Sequence, residues 1–146
     1  MPSSNDRLQH IAEALMLKPA DALTAAQRTF AVAWELEAEV RTGGLHQYFM
    51  NSAGGREAAA ALRAIGAEDT AEIVAEAVSA ADTPDLDWAD DEQRQDHMSD
   101  LDEDVEDELE ALDDRLHANA EPLAERLTAF VGANPQAFSR EALASA

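Results

Sequence analysis

Five apolar residues recur at steps of four and three through a stretch that is otherwise almost entirely acidic: Leu101, Val105, Leu109, Leu112 and Leu116. This spacing places them on one face of an α-helix, because residues three and four apart are neighbours on the helix surface. A stretch with so many carboxylates and no apolar pattern would be expected to stay disordered. The stripe therefore predicts a folded amphipathic helix at about 99–117.

The rest of the chain shows the same helical periodicity and no convincing strand. Glycine and proline residues separate the periodic segments, and Leu86 and Trp88 are expected to anchor a loop at 85–91 in the core. A length of 146 residues is typical of one domain. We predict one compact all-α domain over 1–146 with about seven or eight helices, the others lying near 4–17, 24–43, 45–50, 53–65, 67–81, 121–132 and 135–143.

The acidic residues are concentrated in one part of the chain. Residues 85–114 contain 16 of the 31 acids and one base, Arg94, which gives −15 of the total net charge of −21. Adaptation to salt would spread acid over the whole surface, so it does not fully explain the cluster. We expect this stretch to repel nucleic acid and anionic membranes and to attract proteins that bind nucleic acid.

Most acids of the predicted helix fall opposite its leucine stripe. Like charges at such spacing destabilise a helix by roughly 0.2–0.5 kcal/mol per pair. Two interpretations stay open, a solvated face and a partner surface, and the second is favoured because ordinary solvated faces mix both signs. The candidate surface, called the acidic face below, consists of Asp100, Glu103, Asp104, Glu106, Asp107, Glu110 and Asp114.

The sequence gives no support for a metal site, a cofactor or catalysis. Asp100, Asp102 and Asp104 alternate as at the start of a calcium-binding EF-hand loop, but Val105 stands where that loop needs glycine and Ala111 where it needs a bidentate glutamate. Phosphate-binding and hydrolase motifs are missing, and the four histidines have no ligand spacing. We therefore expect a protein that is not an enzyme.

Cysteine usage and hydropathy suggest where the protein is found. The chain has no cysteine, which excludes disulfides and thiolate metal sites and fits the cytoplasm. We expect no signal peptide at the N-terminus, because it lacks a basic segment followed by an apolar run. No apolar stretch approaches the roughly 20 residues that a membrane span needs.

One charged residue lies on an apolar helix face. Glu37 projects between Trp34 and Val40, where an unpaired carboxylate would be costly. We predict that it accepts hydrogen bonds from the 43–48 segment or pairs with Arg41, in a structural role.

The centre of the chain contains a Gly-Gly-x-x-Gln-Tyr-Phe-x-Asn-Ser-x-Gly pattern followed by Ala-Leu-x-x-Ile-Gly-Ala. This pattern resembles that of the bacterial DNA mimic protein family of the nineteen-kilodalton type, and the resemblance covers about 30–135. Thr42 and Leu45 depart from it, because the family usually has asparagine and an aromatic residue there. The matching positions are Glu37, Gly43, Gly44, Gln47, Tyr48, Phe49, Asn51, Ser52, Gly54 and Gly66.

The resemblance implies an all-helical protein whose acidic surface imitates the DNA backbone. The characterised type binds a helix-turn-helix transcriptional regulator and keeps it off its operator, whereas most members have no known function. We interpret the signature residues as structural: Gly43 and Gly44 end a helix, Tyr48 and Phe49 pack in the core, and Asn51 with Ser52 caps the next helix.

Three functional hypotheses follow. The leading one is a cytoplasmic, non-enzymatic DNA mimic, a monomer or homodimer that binds a basic DNA-binding protein and blocks its DNA site. The second is an immunity- or antitoxin-like protein that neutralises a nuclease or basic toxin through the same face. The third is an acidic helical domain with no partner there.

Overall fold

The computed structural model describes residues 4–119 and 121–144, and within these ranges the chain is 80% helical with no strand. The prediction of an all-α, single compact domain is confirmed. A short 3-10 turn at Ala20–Ala22 separates the first two of nine α-helices in this part of the chain. The helices are α1 (Ser4–Met16), α2 (Ala25–Asn51), α3 (Gly55–Ala64), α4 (Glu68–Ala81), α5 (Asp91–Ser99), α6 (Glu103–Ala118), α7 (Leu123–Ala133), α8 (Pro135–Phe138) and α9 (Arg140–Ala144).

Helix α2 is the central element, and α1, α3, α5, α6, α7 and α8 all pack against it. It begins with a capping box, in which the Thr24 hydroxyl accepts from the Gln27 N–H and the Gln27 side chain accepts from the Thr24 N–H. Phe30, Tyr48 and Phe49 are fully buried along it. The core therefore extends along both halves of this helix.

The prediction that Gly43 and Gly44 end the second helix is wrong. Helix α2 continues to Asn51 and is kinked at Gly44, where φ is 80° and ψ is −172°. This conformation is essentially restricted to glycine because a Cβ would meet the backbone. The helical turns on both sides of Gly44 pack against the core. Gly44 therefore kinks the helix without ending it, and the helix continues to Asn51.

Helix α3 ends as expected at Gly66, but its predicted start is wrong. Gly66 has φ of 87°, its N–H donates to the Arg63 carbonyl, and the next N–H donates to the Leu62 carbonyl, which is a Schellman motif. Asn51 is the last residue of α2, so it does not cap α3. The helix instead begins at Gly55, two residues later than expected.

Helix α5 was not predicted, and α6 is shorter than expected. The 99–117 pattern predicts one helix, but residues 100–102 are non-helical and α6 begins at Glu103. The loop before α5 is anchored as expected by Leu86 and Trp88, which are buried. Asp90 caps α5, because its carboxylate accepts from the Gln93 N–H at 3.1 Å.

The two halves of α2 serve different parts of the fold. Helices α1, α7 and α8 meet the first half, where Gln27 donates to the Ala137 carbonyl at 2.8 Å, and α9 lies on α1 and α8. Helices α5 and α6 lie beside the second half, where Arg94 and Asp113 reach the backbone of residues 45–50. The acidic part of the chain is therefore built around the kinked end of α2.

Candidate protein-interaction surface

All seven residues of the acidic face are exposed to solvent. Five of them share one side of α6 with Asp104 beside them, whereas Asp100 lies at the end of α5. Four of these five form a row along the helix: Glu103, Asp107, Glu110 and Asp114. None of the seven carboxylates hydrogen-bonds or pairs with a basic group within the ranges that the structure describes. Nothing in this part of the protein therefore neutralises the charge of the acidic face.

The two arginines nearest in sequence are both withdrawn from this face. Arg115, on α6 itself, pairs with Glu76 of α4 at 2.6 Å. Arg94 is only 2% exposed, and its guanidinium donates to the Trp88 carbonyl at 2.6 Å and to the Met50 carbonyl at 3.2 Å. Neither arginine therefore pairs with a carboxylate of the acidic face.

The opposite side of α6 holds the helix on the core. Leu109 and Leu112 are buried, and Leu101, Val105 and Leu116 pack against the same cluster while partly exposed. The expected apolar stripe is therefore confirmed. One side of the helix is fixed by burial, and the carboxylates on the other side project into water.

The density of charge along α6 is close to that of DNA. Seven of the twelve residues from Glu103 to Asp114 are exposed acids. At a rise of about 1.5 Å per residue, they give one exposed carboxylate per roughly 2.6 Å of helix axis. Double-stranded DNA carries one negative charge per about 1.7 Å of its axis.

One carboxylate of α6, that of Asp113, points inward and fixes the helix to the kink of α2. The kink leaves the buried N–H of Leu45 without a helical partner, and Asp113 Oδ1 accepts from it at 2.8 Å. A Cβ at Gly44 would lie 2.7 Å from Asp113 Oδ2. The missing side chain at Gly44 therefore gives the carboxylate the space to approach the backbone.

The environment of Asp113 raises the pKa of its carboxyl group above the ordinary value, mainly because burial disfavours the charged form. The hydrogen bond from the Leu45 N–H opposes this effect, and the nearby Asp114 adds to it. Asp113 is thus a structural acid, in contrast to the fully solvated carboxylates around it.

The polar residues of the central motif form a brace across the kink. Glu39 accepts from Gln47 at 2.8 Å and from Asn51 at 3.0 Å, and Gln47 also donates to the Thr42 hydroxyl at 2.9 Å. A side chain at Gly43 would overlap Gln47. These bonds hold the two halves of α2 together, and they give Asn51 its role in place of the expected cap.

The remaining residues of the motif lie in the core. Tyr48 and Phe49 are fully buried as expected, and Phe49 meets Trp88 edge-on at 5.5 Å between ring centroids. Burial raises the pKa of the Tyr48 hydroxyl well above its usual range. The Ser52 hydroxyl accepts from the Gly54 N–H at 3.1 Å and shapes the turn before α3.

Comparison with known families agrees with this arrangement. A family model described as DMP19-like protein matches residues 21–134, which include the kink, its brace and all of α6. The chain belongs to the DMP19-like protein family. The resemblance inferred from the central motif is thereby confirmed, with a matched range that begins somewhat earlier than expected. No curated protein and no solved structure matches the chain.

Within this DMP19-like fold, Glu37 pairs with Arg41, which is the second of its two expected arrangements. The amide donors near the kink bind Glu39 in its place. Sequence reasoning identified Glu37 because it lies on the apolar face, whereas the hydrogen-bonding partners of Glu39 are recognisable only once the kink brings Gln47 and Asn51 beside it.

Sequence reasoning also missed Arg94, Asp113 and Glu121 of this family member. Arg94 is the only base among the acids of 85–114, and that isolation is the one sequence signal for a structural role. Asp113 looks like any other acid of its helix. Glu121 caps α4 from a distance, because its carboxylate accepts from the Thr70 N–H at 2.9 Å and from the Thr70 hydroxyl at 2.6 Å.

Two features are absent from the described part of the DMP19-like domain. No group of three or more histidine, cysteine, aspartate or glutamate side chains among its described residues is placed to hold a metal ion. None of the helices in the described ranges combines the length and the apolar character needed to cross a membrane. The family is not a known enzyme family.

Proposed function

We propose that this protein acts as a DNA mimic: the acidic face occupies the DNA-binding surface of a basic protein, such as a bacterial transcriptional regulator, and blocks its DNA site. Membership of the DMP19-like family supports a DNA mimic in general terms. The observation that carries the proposal for this chain is the set of seven exposed carboxylates that no basic group of the described structure neutralises.

The mechanism is electrostatic and needs no catalytic group. Carboxylates on α6 take the positions of phosphates against lysine and arginine side chains of the partner. Because the acidic face has no internal ion pairs to break, the carboxylates are available to the partner without rearrangement. Binding should weaken steeply as salt rises, since exposed charges are screened within about 8–10 Å at physiological ionic strength. We place this activity in the bacterial cytoplasm.

The experiment compares two variants with the same change in charge. The row variant carries Gln or Asn at Glu103, Asp107, Glu110 and Asp114. The control variant carries Gln at four exposed acids on α1, α4, α7 and α9: Glu13, Glu72, Glu125 and Glu141. Each change of four charges takes the net charge from −21 to −17.

Each protein is used as bait in a lysate of the source organism, and short duplex DNA elutes what is bound. The proposal predicts a protein that DNA releases from the wild-type and control baits and that the row variant does not retain. Purified, that protein should bind DNA or the bait but not both together. Equal retention by the row variant would contradict the assignment of the surface.

The same experiment separates the other hypotheses. A captured nuclease whose activity is inhibited by wild-type protein would favour the immunity- or antitoxin-like function. If DNA releases nothing from any bait, the acidic face is a solvated surface, and family membership then accounts for the fold alone.

A further inference from the structure

A cavity of about 240 Å³ lies between the middle of α2, the start of α4, the end of α6 and the start of α7. Its walls combine apolar and polar side chains. The apolar part comes from Leu36, Val40, Leu116 and Leu123. A site needs only about 10–15 Å³ of such space to hold one water molecule, so this cavity has room for several non-hydrogen groups. This space suits a short alkyl chain with one polar end.

The polar groups of the cavity are mostly acceptors. Thr70 donates its hydroxyl to Glu121, so its oxygen accepts from the Asn119 Nδ2 at 3.0 Å. This arrangement fixes the orientation of the Asn119 amide and leaves its Oδ1 without a donor among the described residues. The carboxylates of Glu121 and Glu37 line the same space. A ligand that donates hydrogen bonds therefore meets three acceptors.

Glu37 is a charged group of this cavity whose present partner is easily replaced. Its side chain is 23% exposed, and its one ion pair is with Arg41, whose side chain is 75% exposed. Exposed pairs at this helical spacing are worth only about 0.3–0.5 kcal/mol. The Glu37 carboxylate at the cavity is thus held by a weak and replaceable partner.

The end of α6 adds to the preference for positive charge. Leu116, His117 and Asn119 bring the C-terminal turn of this 16-residue helix to the cavity. Free carbonyl groups at a helix C-terminus act as a partial negative charge and favour cations. The carboxylate of Glu121 already neutralises the opposite, positive end of α4 through Thr70. Arg41 also lines the cavity, and its single positive charge stands against the two carboxylates of Glu37 and Glu121, so the formal charge of the lining is net negative.

We propose that this cavity binds the ammonium or guanidinium end of an aliphatic cation, with Glu37 as its charged partner and the apolar walls around its alkyl chain. The chemistry fits a free alkylamine and equally the side chain of a lysine or arginine from another protein. Arg41 competes with the ligand for Glu37. The proposal does not depend on the function proposed for the acidic face.

The test is a titration of the full chain, followed by NMR of backbone amides, with n-butylammonium and n-butylguanidinium as probes. n-Butanol and butyrate are the matched neutral and anionic controls. We expect saturable shifts at the amides of Leu116 and Asn119 with both cations and none with the controls. Butanol or butyrate binding as well as the cations, or no saturable binding at all, would overturn the proposal.

Three variants assign the charged partner. Glu37→Gln should weaken binding about tenfold, because a hydrogen bond to a charged acceptor is worth roughly 1–1.5 kcal/mol more than one to a neutral acceptor. Arg41→Gln should tighten it about twofold, since the competing pair is lost. Glu72→Gln, an exposed acid on α4 outside the cavity, should leave it unchanged.

The Arg41 variant tests the proposal even if Glu37→Gln lowers stability. If the Glu37–Arg41 pair is only structural, Arg41→Gln should bring no gain in affinity for the cation. If binding is the same in all three variants, Glu37 is not the charged partner and the proposal fails. A last comparison separates the two sources of the cation. Tighter binding of N-acetyl-lysine methylamide than of butylammonium assigns the site to a protein side chain, and the reverse order assigns it to a free amine.

Discussion

Replacing Gly44 by alanine should destabilise the protein by about 2–6 kcal/mol. The backbone at Gly44, with φ of 80° and ψ of −172°, costs a residue with a Cβ about 1–3 kcal/mol. The new Cβ would also lie 2.7 Å from Asp113 Oδ2, and moving that carboxylate breaks its bond to the Leu45 N–H. A buried N–H left without a partner costs about 1–3 kcal/mol.

The assay is thermal and urea unfolding followed by circular dichroism. For a chain of this size, 1 kcal/mol corresponds to about 3 °C in Tm, so the expected loss is about 6–18 °C. The control is Gly132→Ala near the end of α7, where a Cβ meets nothing within 4 Å. That change should be neutral or stabilise the protein by up to about 1 kcal/mol, because alanine favours helix over glycine.

A double-mutant cycle separates the two causes. In an Asp113→Ala background the clash and the hydrogen bond are already gone, so Gly44→Ala should cost only the backbone share of about 1–3 kcal/mol. Equal costs in both backgrounds would show that Asp113 does not confine Gly44. A Gly44→Ala protein as stable as the Gly132→Ala protein would refute the explanation of the kink itself.

Three further predictions concern charge. Asp113→Asn should leave stability at pH 7 unchanged or raise it. The folded state raises the pKa of the Asp113 carboxyl, so its ionisation destabilises the fold as pH rises through that raised pKa. Urea unfolding at pH 4 and pH 7 should show this loss of stability only in the wild type. The row variant should melt about 3 °C higher than the wild type in low salt, since relief of three like-charge neighbours gives about 1 kcal/mol, and molar salt should remove the difference. Asp82→Asn should lower stability at pH 7 and have little effect at pH 2. The hydrogen bond from Arg56 holds the pKa of Asp82 below its usual value. The stabilisation that the Asp82 carboxylate provides is therefore lost as pH falls through that lowered pKa.

The outcomes that would contradict these predictions are specific. A large loss of stability in Asp113→Asn at pH 7 would mean that the charge itself holds α6. A row variant less stable than the equally charged control would mean that the row makes favourable contacts. A loss of stability in Asp82→Asn that is as large at pH 2 as at pH 7 would mean that the role of Asp82 does not depend on its charge.

The local apolar pattern predicted most of the helices, because a helix repeats its buried positions every three or four residues. The apolar spacing of α1 selects Leu8, Ile11, Ala12 and Leu15, and all four are buried. The same pattern did not predict helix α5, because its nine residues contain only two buried side chains, Met98 and Arg94. A charged arginine is not expected in the core from sequence alone. The only local signal of α5 was the cap at Asp90.

The candidate surface was predictable in composition and not in detail. Exposure of the acidic face followed from its position opposite the leucines, and every one of its seven members is exposed. The inward turn of Asp113 could not be predicted, because its partner Leu45 is 68 positions away in the chain. Helical periodicity cannot distinguish this carboxylate from its neighbour Asp114.

The sequence by itself determined the helical class, the buried stripe of α6 and the concentration of acids in residues 85–114, since each depends on side chains within a few turns of one another. Tertiary structure decided that α2 bends at Gly44 and continues, that Glu39 takes the amide hydrogen bonds, and that Arg94 is buried. These outcomes depend on which backbone groups a kink leaves without partners. The hydrogen-bond partners of such groups are fixed only when distant segments meet, because a buried N–H or carbonyl pairs with whichever group the packing brings to it.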